Sequence, residues 1–298
     1  MTVRAALRRA GQLEELNFLL TNRIPRRLAT RFMGWFSRIE LAPVRAASMA
    51  LWRTFCDVDL SDARKQSFAS LHDCFVRELA DGARPVTADP DLLASPCDAI
   101  VGACGRIEGD RLYQVKDLPY RLADLLGDEE HAARYRDGVY ATLRLTAGMY
   151  HHFHAPHDLT VESVRYIYGD TWNVNPVALK RIERLFCRNE RAAVHTRLEG
   201  GEPLTLVAVA AILVAGIRLP FLVEELRGPT RTIPAEAAFT KGERMGWFEH
   251  GSTIIMFAPK GFELCDGIGP GTRIRAGAAL LQNACVRQRR LHPNSLRH

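Results

Sequence analysis

The sequence predicts an α+β fold, with helices gathered in an N-terminal part and a mostly antiparallel, β-rich remainder. Three observations lead there. Apolar residues over 28–39 recur at steps of three and four, which aligns them on one face of a helix. From about residue 81 the texture changes to short β-branched runs punctuated by glycine, the pattern of strands and turns. Helices and strands segregated along a chain belong to the α+β class. The 298 residues therefore divide into a basic, helical region over 1–80 and a β-rich domain over 81–298.

The first helix carries Leu28, Phe32, Trp35, Phe36 and Ile39 on its apolar side, with Arg23, Arg26, Arg27, Arg31 and Arg38 among them. Two readings of it stay open. Rings and aliphatics flanked by arginines suit a helix lying in a membrane interface, with guanidinium groups on lipid phosphates. The same pattern suits a helix that faces a protein core and solvates its basic side. A second helix is expected over 65–79, ending at the turn-rich 81-DGARPV-86. Strands are expected within 98–115, 161–170, 192–217 and 252–259, interrupted by helices over 119–127, 129–138 and 176–187. The tail 286–298 is basic and polar and is expected to fray.

Composition narrows the class of protein. Apolar residues make up 47% and charged residues 25%, enough for a packed core. A net charge of +6 favours anionic partners without choosing among nucleic acid, membrane and acidic substrate. The aromatic residues do not interleave with basic strips, so no nucleic acid is expected. Cys56, Cys74, Cys97, Cys104, Cys187, Cys265 and Cys285 form no CxxC pair and are odd in number. They read as reduced thiols in a cytosolic setting, with no zinc site. The start, 1-MTVRAALRRAGQLEELNF-18, lacks the apolar core of a signal peptide. The run 204-LTLVAVAAILVAGI-217 falls short of the roughly 20 residues that span a bilayer.

Three stretches carry candidate chemistry. Four histidines crowd 150-YHHFHAPHD-158; they suit proton transfer near neutral pH, a two-histidine metal clip, or ordinary surface and core positions. In a strand, His152 and His154 share one face and His151 takes the other. Asp98, in 95-SPCDAIVG-102, opens a strand after a proline turn, a common place for a capping aspartate. The third stretch is 249-EHGSTIIMFAPKG-261, where Gly251 and Ser252 precede an apolar strand. With a histidine and Asp98, Ser252 supplies the parts of a Ser-His-Asp hydrolase, although it lacks the GxSxG elbow. A serine in this position has another use. Its deprotonated oxygen can attack the preceding carbonyl and turn the peptide bond into an ester, and Gly251 offers no Cβ to obstruct the approach or to forbid a strained backbone. A basic membrane-binding protein without catalysis is the non-enzymatic alternative.

Taken in order, these stretches resemble the phosphatidylserine decarboxylases, pyruvoyl enzymes of bacterial phospholipid synthesis. The resemblance runs from about 28 to about 285. It is carried by 74-CFVREL-79 with 84-RPV-86, 95-SPCDAIVGACGRIEGD-110, 150-YHHFHAP-156, 169-GDTWNVNP-176, 185-LFCRNERAAV-194 and 240-TKGERMGWFEHGSTIIMFAP-259. It implies self-cleavage between Gly251 and Ser252, with Ser252 becoming a covalent pyruvoyl group. It also implies a triad of Asp98, His154 and Ser252, in which Asp98 accepts a hydrogen bond from His154 and His154 takes the Ser252 proton. The amine of phosphatidylserine then forms a Schiff base with the pyruvoyl group, CO2 leaves, and His154 or His151 returns a proton. No metal or diffusible cofactor is implied. The two fragments are expected to stay together, as a homodimer, on the cytoplasmic face of the membrane, peripherally bound. The chain departs from the family pattern at Ala99, at His250 and at Asn173, where glycine, leucine and serine are common.

Overall fold

The computed structural model describes residues 24–115, 118–214 and 216–284; the expected frayed tail and the reading of residues 1–18 fall outside them. Helix α1 spans Arg26–Phe36, α2 spans Ala42–Phe55 and the short α3 spans Leu71–Phe75. Pro43 sits in the first turn of α2, where its missing N–H is no loss. Trp52, Ala63, Phe68, Leu71, Cys74 and Phe75 pack into a small core of their own, with Met33 and Met49 against it.

The helix expected over 65–79 shrinks to five residues. Ser70 caps it by accepting from the Asp73 N–H at 3.1 Å. Beyond Phe75, tertiary partners take over the polar groups a helix would need. The Val76 carbonyl meets His152 Nε2 at 3.1 Å, and buried Arg77 donates to the carbonyls of Cys74 and Gly148. Three other expected helices are also cut, the one over 129–138 to Glu129–Ala133. Leu118–Arg121 is a strand and only Leu122–Leu126 is helical, closed by Gly127 at φ 70°. The stretch 176–187 splits into Pro176–Arg181 and Leu185–Arg188 around Arg184, at φ 51°.

The remainder is β-rich, as expected. Sixteen strands are present among the described residues, and every pairing between them is antiparallel. The strands that matter here are β2 (Ala99–Arg106), β5 (Val139–Arg144), β6 (His152–His154), β9 (Pro203–Val209), β12 (Arg244–Phe248) and β13 (Thr253–Ala258). An eight-stranded sheet holds β13 near its middle, between β9 and β5, with β2 beyond β5. A three-stranded sheet pairs β12 with β6. All six residues of β13 are buried. A strand covered on both faces reads as a continuous apolar run without alternation, which is why 253–257 stands out in the sequence.

Candidate active site

Ser252 lies one residue before β13, where the central strand emerges between its neighbours. Its backbone carbonyl accepts from the Leu145 N–H at 2.7 Å, and its hydroxyl donates to the Val209 carbonyl. Ser252 is thus pinned to both flanking strands and buried. Gly251 is packed so closely that a Cβ would lie 2.8 Å from the Leu145 carbonyl oxygen and 3.0 Å from the Thr146 carbonyl carbon. The sequence reading gave Gly251 two virtues. The structure supports the missing Cβ; the backbone there is not in the left-handed region.

A cavity of about 410 Å3 opens beside the junction, lined by Gly251, Ser252 and His250, by Arg144–Ala147, by Asn173–Asn175, and by Ala211–Leu213. Met33, Trp52 and Phe75 complete its wall, so the N-terminal helices are part of the site. Asn173, one of the three departures, accepts from the Asn175 N–H at 3.0 Å and borders this cavity. His250 is buried, with its ring edge-on to Phe75 at 4.4 Å, and burial pushes its pKa down to about 3. The neutral ring packs against Phe75 and His72. Ala99 is fully buried at the start of β2, opposite Ile274.

Of the four histidines, His151 is linked to the junction through Thr146. Its Nε2 meets the Thr146 carbonyl at 3.1 Å, and the Thr146 backbone is what Gly251 packs against. The ring stacks on Phe75 at 5.5 Å and is completely buried. That burial pushes its pKa down to about 3, so the imidazole is neutral at pH 7. His154 is placed differently. It sits on β6 opposite Arg244, with Nδ1 at 2.9 Å from the Gly242 carbonyl and Nε2 at 3.1 Å from the Tyr150 hydroxyl. Burial lowers its pKa as well.

The hydrogen bond expected from His154 to Asp98 is not made. Both carboxylate oxygens of Asp98 are held by Arg84, at 2.7 and 2.5 Å, and Oδ1 also accepts from the Ala276 N–H at 2.9 Å. A bidentate guanidinium saturates the carboxylate and outcompetes a neutral imidazole. Asp98 and His154 remain neighbours, since the His154 N–H donates to the Pro96 carbonyl at 2.8 Å. No hydrogen bond joins Ser252 Oγ to a histidine among the described residues. The structure therefore groups Asp98, Arg84, Tyr150 and His154 in one place and Ser252, Gly251 and His151 in another. No cluster of metal-ligating side chains occurs among the described residues.

Two residues absent from the sequence reading shape the site. Buried Glu249, two positions before Gly251, is clamped by Arg38 and Arg218, each at 2.8 Å. Arg38 follows α1, so the first helix is tied to the approach to the junction. Arg26 adds an ion pair to Asp170 at 2.5 Å and stacks over Trp172 at 3.7 Å, while Arg27 reaches the Gly169 carbonyl. Three of the arginines that the membrane reading would give to lipid phosphates, Arg26, Arg27 and Arg38, thus fasten the helix to the body. The second residue, Arg144, faces both this cavity and another.

The known proteins that this chain resembles point to one family. The family model for phosphatidylserine decarboxylase matches residues 71–282. A phosphatidylserine decarboxylase proenzyme from Anaeromyxobacter sp. is 35% identical over 86% of this chain and 94% of its own length. One from Pasteurella multocida is 34% identical over 86% and 91%, and one from Saccharophagus degradans is 30% identical over 90% and 98%.

Proposed function

This chain belongs to the phosphatidylserine decarboxylase family, and from that membership we infer that it converts phosphatidylserine to phosphatidylethanolamine after cutting itself between Gly251 and Ser252. The observation that carries the reading is the seat of Ser252: a buried hydroxyl at the head of the central strand, bordering a cavity large enough for a lipid headgroup.

In the cleavage, Ser252 Oγ attacks the Gly251 carbonyl carbon, the peptide C–N bond breaks and an ester forms. Loss of the Ser252 α-proton then expels the Gly251 carboxylate and leaves a dehydroalanine. Its tautomer adds water and releases ammonia, which leaves a pyruvoyl group at 252. His154 is the base in this scheme, and the nearby Asp98 acts on it through its charge, which favours the protonated ring, and not through a hydrogen bond. Its ring must exchange Tyr150 for the serine hydroxyl, so the arrangement described above is a resting one. His151, beside the junction, moves the proton during decarboxylation.

The surroundings fit the new group. Thr253 Oγ1 is buried one residue from Ser252 with no hydrogen-bond partner among the described residues, which leaves a polar atom in reserve for a carbonyl. The pyruvoyl carbonyl supplies the electron sink that decarboxylation needs. Trp52, Phe75, Val174 and Leu145 give the cavity beside Ser252 an apolar wall. After the cut, β13 stays paired with β9 and β5 along its length, so the fragment 252–298 remains bound.

The finer part of the reading is the place of work. No helix among the described residues is long and apolar enough to cross a membrane. Helix α1 instead turns Leu28, Phe32 and Trp35 outward, 64%, 60% and 63% exposed. Leu41, Leu51 and Phe55 extend the exposed apolar surface. The cavity borders that side, since Leu213 lines it and its N–H donates to Thr30 Oγ1 on α1. We place this face on the cytoplasmic membrane surface, where a diacyl lipid can offer its headgroup to Ser252 without leaving the bilayer. The test is denaturing mass spectrometry of the purified chain and of Ser252→Ala: two fragments from the first and one chain from the second are expected. A split in the alanine variant would defeat the scheme.

A further inference from the structure

Arg144 is the residue shared by the cavity at Ser252 and a second cavity of about 340 Å3. It ends β5, directly opposite Thr253. Its guanidinium is partly buried and its pKa is lowered by that burial alone. It has no hydrogen-bond or ion-pair partner among the described residues. The stem runs over the small residues of β2, for a Cβ at Gly102 would lie 3.6 Å from Arg144 Cδ.

The second cavity continues the same chemistry. Gln114 is 8% exposed; its Oε1 accepts from Thr142 Oγ1 at 2.8 Å, and its Nε2 is buried without a partner. Lys180 adds an ammonium group at the rim. No carboxylate lines either cavity. An unpaired cation and an orphaned amide donor are costly to keep out of water, and both face space that a ligand can fill.

We propose that Arg144, Gln114 and Lys180 form an anion subsite adjoining Ser252, which takes the phosphodiester of the lipid headgroup. This rests on reading Ser252 as the reacting residue. Phosphatidylserine carries two anions, and the choice between them follows from the reaction. The carboxylate must lose its charge as CO2, so pairing it with a guanidinium would stabilise the ground state against the transition state. The phosphodiester keeps its charge throughout, and holding it orients the amine toward residue 252. It is also within reach, three bonds beyond the reacting carbon.

The test is calorimetric binding of dihexanoyl phosphatidylserine to full-length Ser252→Ala, compared with the same chain carrying Arg144→Gln or Arg144→Lys. Losing a charge-assisted hydrogen bond weakens binding by about 10- to 100-fold, so Arg144→Gln should show that loss and Arg144→Lys should recover part of it. Serine methyl ester, which lacks phosphate, should bind all three chains equally. Equal lipid affinity in the glutamine variant would overturn the proposal, as would an equal loss for the ester. Inorganic phosphate binding as tightly as the lipid would assign the subsite to the free ion and overturn the headgroup assignment. Self-cleavage is measured separately in the parent chain with Ser252 intact, where both fragments are expected. If the parent chain stays whole, the proposed function fails while the binding comparison still stands.

Discussion

Replacing Phe32 and Trp35 together by glutamate tests whether helix α1 is a docking surface. Both rings are about three-fifths exposed. Full burial of a large apolar side chain contributes roughly 1.5–3 kcal/mol, so the exposed share of each has about 1–2 kcal/mol left to gain from a lipid phase. Two glutamates remove that gain and add repulsion from anionic lipid of about 1 kcal/mol each. The sum is about 4–6 kcal/mol, a fall in vesicle partitioning of at least ~100-fold. The helix itself should stay seated, because Arg26, Arg27 and Arg38 hold it to Asp170, Gly169 and Glu249 from other positions. Flotation with phosphatidylserine-containing liposomes reads the outcome, and far-UV circular dichroism with a fragment count verifies the fold. A doubly substituted chain that floats like its parent would refute the reasoning.

Three further outcomes are expected. Gly251→Ala forces a methyl group against the Leu145 carbonyl, so it should cost about 1–3 kcal/mol in a thermal melt and block fragment formation; normal cleavage would show that the close packing is not required. His154→Ala should slow self-cleavage by about 100-fold or more, and His151→Ala should cleave yet decarboxylate more slowly by a similar factor; the reverse pattern in gel and CO2-release assays would exchange the two roles. Stability should fall on acidification. His151, His195 and His250 have folded-state pKa values near 3 against 6.5 unfolded, so below 6.5 the unfolded chain binds the extra protons. Each histidine then removes about 1.4 kcal/mol per pH unit, or about 4 kcal/mol together at pH 5.5; denaturant melts that are flat from pH 7.5 to 5.5 would contradict this.

Local pattern made much of this molecule readable. The 3.6-residue period over 28–39 located α1, and the uninterrupted apolar run at 253–257 located the buried central strand. The candidate site was legible through motifs, which identify residues but not their partners. Asp98 was visible as a strand-opening aspartate, yet nothing near it in sequence announces that Arg84 and the Ala276 N–H will saturate it. The Arg38–Glu249–Arg218 clamp spans more than 200 residues of chain and depends on sheet order, which single-sequence periodicity does not encode. Arg144 hid for the opposite reason: its meaning lies in having no partner. The arginines of α1 left two readings open because a basic helix looks the same whether its charges meet lipid or neighbouring loops. Leu28, Phe32 and Trp35 face outward from the same helix, which only coordinates reveal.

The account depends on chemistry at a single peptide bond, and the most direct measurement is the intact mass of freshly purified, active protein under denaturing conditions. Two chains are expected, one ending at Gly251 and one of residues 252–298 whose first residue carries a ketone in place of its amine and hydroxyl groups. They should migrate together on a native gel, held by β13 between β9 and β5. Full decarboxylase activity from one continuous chain, with the Ser252 hydroxyl intact, would contradict the central claim.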